Sequence, residues 1–274
     1  MTNSILLLHP GEMGASIGAA LRGNNHPVRW VSRCRSDATR QRAEAADLAP
    51  ASTLENALAK VEHVISVCPP DAALDVARSV RDAGFGGIYV DANAVSPATS
   101  RRLADIAGGG FVDGGIIGPP ARRPGATRLY LSGDQASRVA SWFERSLVDA
   151  RVVECSASAL KMCYAAYTKG SSALILAIRA LAASQGVEEA LLSEWDISQS
   201  GLGARSDATA SGTSRKAWRF EGEMREIAST FADAGLPSGF HEAASDIYRR
   251  MRGLKTVEDA DVQCVIEKLL GSGK

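Results

Sequence analysis

The chain has 274 residues, with 31 Lys+Arg set against 31 Asp+Glu and a pI near 6.9. That length suggests one large domain or two ordinary ones, and the charge balance argues against nucleic acid as the main partner, because phosphate binding needs a net basic surface. Apolar residues make up 45% and charged residues 23%, which excludes the composition of a disordered chain.

In chain order, short apolar runs alternate with amphipathic ones over the first 155 residues. Strands are predicted at 5–8, 28–31, 63–67, 87–90, 111–112, 128–131 and 151–153. Helices are predicted between the early ones, at 13–22, 37–46, 54–60, 72–83 and 98–107. Start signals support two of them: Ser52-Thr-Leu-Glu55 has the spacing of a capping box, and Ser96-Pro97 sets a hydroxyl before a first-turn proline. Strand–helix alternation with near-continuous apolar strands implies a parallel sheet covered on both faces. After Cys155 the pattern turns helical. A single run, 158–185, would extend about 40 Å at 1.5 Å per residue. Further helices are predicted at 187–195, 215–234, 240–252 and 257–270, with a Gly/Ser-rich break at 198–214 expected to be mobile. The expected architecture is a Rossmann-type doubly wound α/β domain (1–155) joined by a long interdomain helix to an all-α domain (156–274).

The longest apolar stretch, 173–183, is interrupted by Arg179 and too short for a bilayer, so no membrane segment is expected. Met1-Thr-Asn-Ser lacks a charged leader region, so no secretory signal is expected. The 5 cysteines are widely spaced and the 4 histidines form no i,i+4 pair. These features point to a cytoplasmic protein with reduced thiols and no metal centre.

The first strand runs into His9-Pro10-Gly11-Glu12-Met13-Gly14, and a helix follows. Such a turn aims backbone N–H groups and a helix amino terminus beyond the strand ends, which suits a pyrophosphate. His9 stands where the dinucleotide fingerprint has its first glycine, so the motif is incomplete. At the end of the second strand an NAD site expects a carboxylate. Here Ser32-Arg33-Cys34-Arg35-Ser36 offers guanidiniums and hydroxyls suited to a 2′-phosphate, so NADP(H) is the expected cofactor. Three more loops follow strands. Cys68-Pro69-Pro70 starts a helix, Asp91-Ala-Asn93 brings an amide to the crevice, and Asp113-Gly114-Gly115-Ile116-Ile117-Gly118 suits the lining of a flat ring or small substrate.

This order of motifs resembles the β-hydroxyacid dehydrogenase and 6-phosphogluconate dehydrogenase superfamily over the whole chain. It is most similar to an uncharacterised bacterial subgroup named only by its carboxyl-terminal domain of unknown function, and is related to imine reductases. The resemblance rests on Gly11-Glu-Met-Gly14, Ser32-Arg33, Cys68-Pro69, Asp91-Ala-Asn93, Asp113-Gly-Gly and Lys161. It implies that Lys161 is the general acid/base of a hydride transfer between nicotinamide and a small hydroxy or oxo compound, a role a desolvated amine can fill near neutrality. Asn93 and Tyr164 are expected to orient the reacting oxygen, and Tyr164 and Lys169 share the helical face of Lys161. Two positions depart from the family pattern: Ala165 stands where the dehydrogenases carry Asn, and Ile117 where a Ser grips the substrate carboxylate. Gly114, Gly115, Ile116, Lys169, Trp218 and His241 complete the expected substrate site. The resemblance also points to a homodimer. The alternatives are an NADPH-dependent imine reductase and a noncatalytic NADPH-binding protein.

Overall fold

The computed structural model describes residues 3–271. Eight strands form one sheet: β1 (Ile5–Leu8), β2 (Val28–Val31), β3 (Ala49–Ala51), β4 (His63–Ser66), β5 (Ile88–Asp91), β6 (Phe111–Ile117), β7 (Thr127–Ser132) and β8 (Val148–Val152). Their spatial order is β3-β2-β1-β4-β5-β6-β7-β8. All neighbouring pairs are parallel except β6–β7. The chain reverses its direction of travel across the sheet between β1 and β4, the place where open α/β sheets leave a crevice beyond their carboxyl ends.

The helices of this first part are α1 (Glu12–Gly23), α2 (Asp37–Ala45), α3 (Leu54–Leu58), α4 (Ala73–Asp82), α5 (Pro97–Ala107) and α6 (Ala136–Ser141). Both faces of the sheet are covered, and β1 shows how. Ile5 and Leu7 join a core with Ile17, Leu21 and Trp142, while Leu6 and Leu8 join another with Val80, Tyr89 and Leu103. The period-2 alternation of strand side chains is thus apolar on both sides.

The remainder is helical: α7 (Ala157–Ser184), α8 (Glu188–Ser198), α9 (Leu202–Ser214), α10 (Ala217–Asp233), α11 (Gly239–Arg250) and α12 (Val262–Gly271). The chain divides into two compact units, Met1–Met162 and Cys163–Lys274, with the division inside α7. No described helix is long and apolar enough to cross a membrane.

Several expectations need correction. The stretch 198–214, expected as a mobile break, is mostly α9. Its Gly203, Ser206, Ala210 and Thr213 are buried at helical spacing, so the small residues form a packing face and not a loop. Gly/Ser content alone could not distinguish the two. The edge strand β3 was not foreseen because it contains Pro50, which only an edge strand tolerates. The sheet is mixed, since β6 extends through Gly114 and Gly115 and turns back antiparallel into β7. The cap of α3 is Thr53, whose hydroxyl accepts from the Asn56 N–H, one residue past the expected Ser52. Ser96 does cap α5, accepting from the Thr99 N–H at 3.1 Å with Pro97 in the first turn.

Candidate functional site

The β1–α1 turn has the steric signature of a phosphate loop. A Cβ on Gly14 would lie 2.1 Å from the His9 carbonyl oxygen, and one on Gly18 would lie 2.9 Å from Leu48 Cδ2. The backbone clash makes Gly14 a requirement of the turn, while Gly18 lets the Leu48 and Leu7 side chains pack closely on α1. Gly11, at the helix start, has nothing within 4 Å of its missing Cβ, so its outer side is open to a ligand. The first-turn N–H groups of any helix lack intrahelical acceptors, and here they face that open side with the positive end of the helix dipole. Pro10 is buried, Met13 half-buried and Glu12 exposed. Burial and the Arg35 guanidinium push the His9 imidazole down to about 4, so it is neutral at physiological pH.

The loop after β2 divides its residues by role. The Ser32 hydroxyl donates to the Ala51 carbonyl at 3.1 Å, and the Ser36 hydroxyl caps α2 by accepting from the Thr39 N–H at 3.3 Å. These two hydroxyls serve the backbone. Arg33 is exposed, and Arg35 is half-buried with an Nε that has no hydrogen-bond partner among the described residues. An orphaned guanidinium nitrogen beside the β1–α1 turn suits a bound anion. Sequence reasoning missed Arg42, which donates to the Thr39 hydroxyl at 3.2 Å and to the Pro10 carbonyl at 3.5 Å, tying α2 to the same turn.

Along the carboxyl ends of the central strands, sheet register lines up Ser66, Asp91, Asp113 and Ser132 in one polar row. Asn93 is buried within it. Its amide donates to Asp91 at 2.5 Å and to the Ser66 hydroxyl at 3.1 Å, and its oxygen accepts from the Cys68 N–H at 2.5 Å. Asn93 thereby clasps the loop after β4 to the loop after β5. The Cys68 thiol is pushed up to about 12 by burial, which keeps it protonated near neutral pH. Pro69 is exposed at the head of that loop.

Lys161 stands beyond this row, meeting β6 three residues past Asp113. Its ammonium donates to the Ile116 carbonyl at 2.7 Å. A Cβ on Gly115 would lie 2.8 Å from the Ala157 carbonyl oxygen and 3.1 Å from Lys161 Cβ, and one on Gly114 would lie 2.7 Å from the Asp91 carbonyl oxygen. The two glycines let α7 and β5 press against β6, a packing role the motif alone did not reveal. The first unit thus brings together the β1–α1 turn, Arg35, Asn93, the Asp113–Ile117 strand and Lys161.

The second unit gathers other expected residues. Lys169 forms a largely buried ion pair with Glu223 and sits 4.7 Å from the centre of the Phe220 ring. Trp218 receives the Lys255 ammonium over its ring at 4.1 Å. His241 is buried against Phe231, with ring centres 4.2 Å apart, and against Gly170. Its imidazole is held below the ordinary value by burial. Tyr164 is exposed on α7. Among the described residues no three His, Cys, Asp or Glu side chains gather as a metal would require.

Residues 182–251 match a domain of unknown function, DUF1932. The chain is 32% identical over 190 residues to an uncharacterised 28.5 kDa protein from the 7S RNA 5′ region of Methanothermus fervidus, covering 66% of this chain and 72% of that protein. Among solved structures, a conserved protein of unknown function reported to resemble 3-hydroxyacid dehydrogenases aligns at 26% identity, covering 93% and 100% of the two chains with a TM-score of 0.64. The Mycobacterium tuberculosis 3-hydroxyisobutyrate dehydrogenase with L-serine aligns at 18% identity, 98% and 99% coverage and a TM-score of 0.68. A reductive aminase from Aspergillus terreus, in complex with NADPH and ethyl levulinate, aligns at 16% identity, 97% and 99% coverage and a TM-score of 0.56. The fold is therefore that of the hydroxyacid dehydrogenases, shared with imine-reducing enzymes. Within that superfamily, the chain belongs to the family of the Methanothermus fervidus protein, with a DUF1932 domain in its carboxyl-terminal part.

Proposed function

We propose that the protein is an NADP(H)-dependent oxidoreductase acting on a small hydroxy or oxo compound, with Lys161 as general acid/base. The observation that carries this reading is the Lys161 ammonium hydrogen-bonded to the Ile116 carbonyl at 2.7 Å, at the carboxyl edge of the sheet that also holds the open β1–α1 turn. Pro10, Gly11, Glu12, Met13 and Gly14 would hold the pyrophosphate. Arg33 and Arg35 would hold the 2′-phosphate, with Ser32 and Ser36 shaping the loop that presents them, and Cys68, Pro69 and Asn93 would flank the ring end. Bound there, the nicotinamide supplies or accepts the hydride.

Lys161 takes the hydroxyl proton in oxidation or returns it in reduction, so that charge never accumulates on the substrate oxygen. Asn93 holds the two neighbouring loops in place, while Gly114, Gly115 and Ile116, buried between β5 and α7, would shape the substrate site from behind by fixing where Lys161 stands. Tyr164, Lys169, Trp218 and His241 belong to the helical part, proposed here as the substrate and dimerisation domain. Ile117, buried and apolar where the dehydrogenases carry a carboxylate-gripping Ser, favours a substrate without a carboxylate at that point. The same residue, together with the likeness to the reductive aminase, supports an imine as the alternative substrate class.

The test combines cofactor titration with turnover. NADPH is expected to bind more tightly than NADH, and Arg35→Ala to weaken NADPH about tenfold or more, the worth of a charge-assisted hydrogen bond. Lys161→Met is expected to abolish hydride transfer over a panel of hydroxy, oxo and imine compounds. Equal binding of NADH would overturn the NADP(H) assignment. Undiminished turnover of Lys161→Met would remove the lysine from the mechanism.

A further inference from the structure

We infer that Asp113 is the positioning residue for Lys161, acting through the amino terminus of α7; the inference rests on the acid/base reading of Lys161. Asp113 is buried, and its Oδ2 accepts from four donors: the Ser158 N–H at 3.0 Å and the hydroxyls of Ser156 at 3.0 Å, Ser158 at 3.1 Å and Ser132 at 3.3 Å. The Ser132 hydroxyl in turn accepts from the Ala157 N–H at 3.0 Å, and the Ser156 hydroxyl accepts from the Ala159 N–H at 3.2 Å. The N–H groups of 157, 158 and 159, which a free helix end leaves unmatched, are therefore all satisfied by this one cluster.

Lys161 lies three residues beyond Ser158, about one turn along the helix. Its amine reaches back to Ile116, three residues beyond Asp113 on the same strand. Strand β6 thus grips α7 at three points: the carboxylate of Asp113, the missing side chain of Gly115 against Lys161 Cβ, and the carbonyl of Ile116. These contacts set where α7 lies against β6, and with it the place of the ammonium at the Ile116 carbonyl. The charged groups of the row are Asp113 and, beside it on β5, Asp91, whose carboxylate is held by Asn93. Replacing the Asp113 carboxylate by a neutral amide would also remove a buried negative charge from the base of the same helix.

The inference is tested by trace labelling of the full chain with acetic anhydride across a pH series. The reactivity of Lys161 is read by mass spectrometry against that of exposed Lys60, with no coenzyme or substrate present. The outcome is therefore separable from the turnover test. Asp113→Asn removes the charge and weakens the cap, and both effects free the amine. Lys161 should label severalfold faster near neutral pH, with its titration displaced to lower pH, while Lys60 stays unchanged. Ser158→Ala keeps the charge and loosens only the cap, so a smaller rise is expected without displacement of the titration. This variant carries the test if Asp113→Asn fails to fold. Wild-type labelling of Lys161 in a folded Asp113→Asn or Ser158→Ala protein would overturn the inference, as would an equal rise at Lys60.

Discussion

At the scale of the residue, the chain's polar groups are most informative where they are buried. His9 occupies the position of a fingerprint glycine, and its imidazole is driven from the ordinary 6.5 to about 4, mainly by burial and secondarily by Arg35. Between those values the unfolded chain binds a proton that the folded chain refuses. The contribution of His9 to stability is therefore fully present above about pH 6.5 and is lost as the pH falls toward 4. The displacement corresponds to on the order of 3 kcal/mol. His63 and His241, also lowered chiefly by burial, act in the same direction. Replacing His9 with Gln should flatten the acid limb of a melting-temperature profile between pH 6.5 and 4. A limb as steep as that of the parent would show that His9 does not carry it.

At the scale of the element, Arg179 organises the start of the helical unit. It is buried on α7 and donates to Glu188 at 2.7 and 3.2 Å, to Asp207 at 2.9 Å and to the Ser206 hydroxyl, so one guanidinium ties α8 and α9 to α7. Arg179→Ala would deprive the Glu188 carboxylate and the Ser206 hydroxyl of a charged donor, a loss of about 2–3 kcal/mol, although Ser206 keeps its bond to the Gly203 carbonyl. Chemical denaturation would record it. A midpoint within error of the parent would mean that water replaces the guanidinium without penalty. The same region shows what was hard to read in the chain. Long periodic segments such as α7 and strands such as β1 announce themselves through apolar spacing. The helix α9 does not, because its contact face is Gly203, Ser206 and Ala210, residue types equally at home in loops. The candidate site divides in the same way. The open turn at Gly11 and the lysine of α7 were legible because their chemistry is carried by residue type. The capping cluster around Asp113 was not, because it depends on serines from β7 and α7 that meet only after folding.

At the scale of the molecule, α7 carries Tyr167, Leu174, Ile178 and Leu181 at steps of seven, four and three, the repeat of a helix-pairing seam. Tyr167 is 68% and Leu181 61% exposed, which a lone chain would seldom leave in water as part of a continuous stripe. This supports the proposed homodimer. Light scattering should return twice the chain mass, and Tyr167→Glu with Leu181→Glu should return a single chain that still melts cooperatively. A parent of single-chain mass would end the dimer proposal. The margins of the sheet bear on how copies meet. On one side β3 presents Pro50, which has no N–H to offer an incoming strand, and on the other β8 carries the ion-paired Asp149 and Arg151. Growth by strand addition is thus blunted at both borders. Crowded or heated solutions of the folded protein should therefore resist fibril seeding, leaving the helical route as the favoured path to self-association.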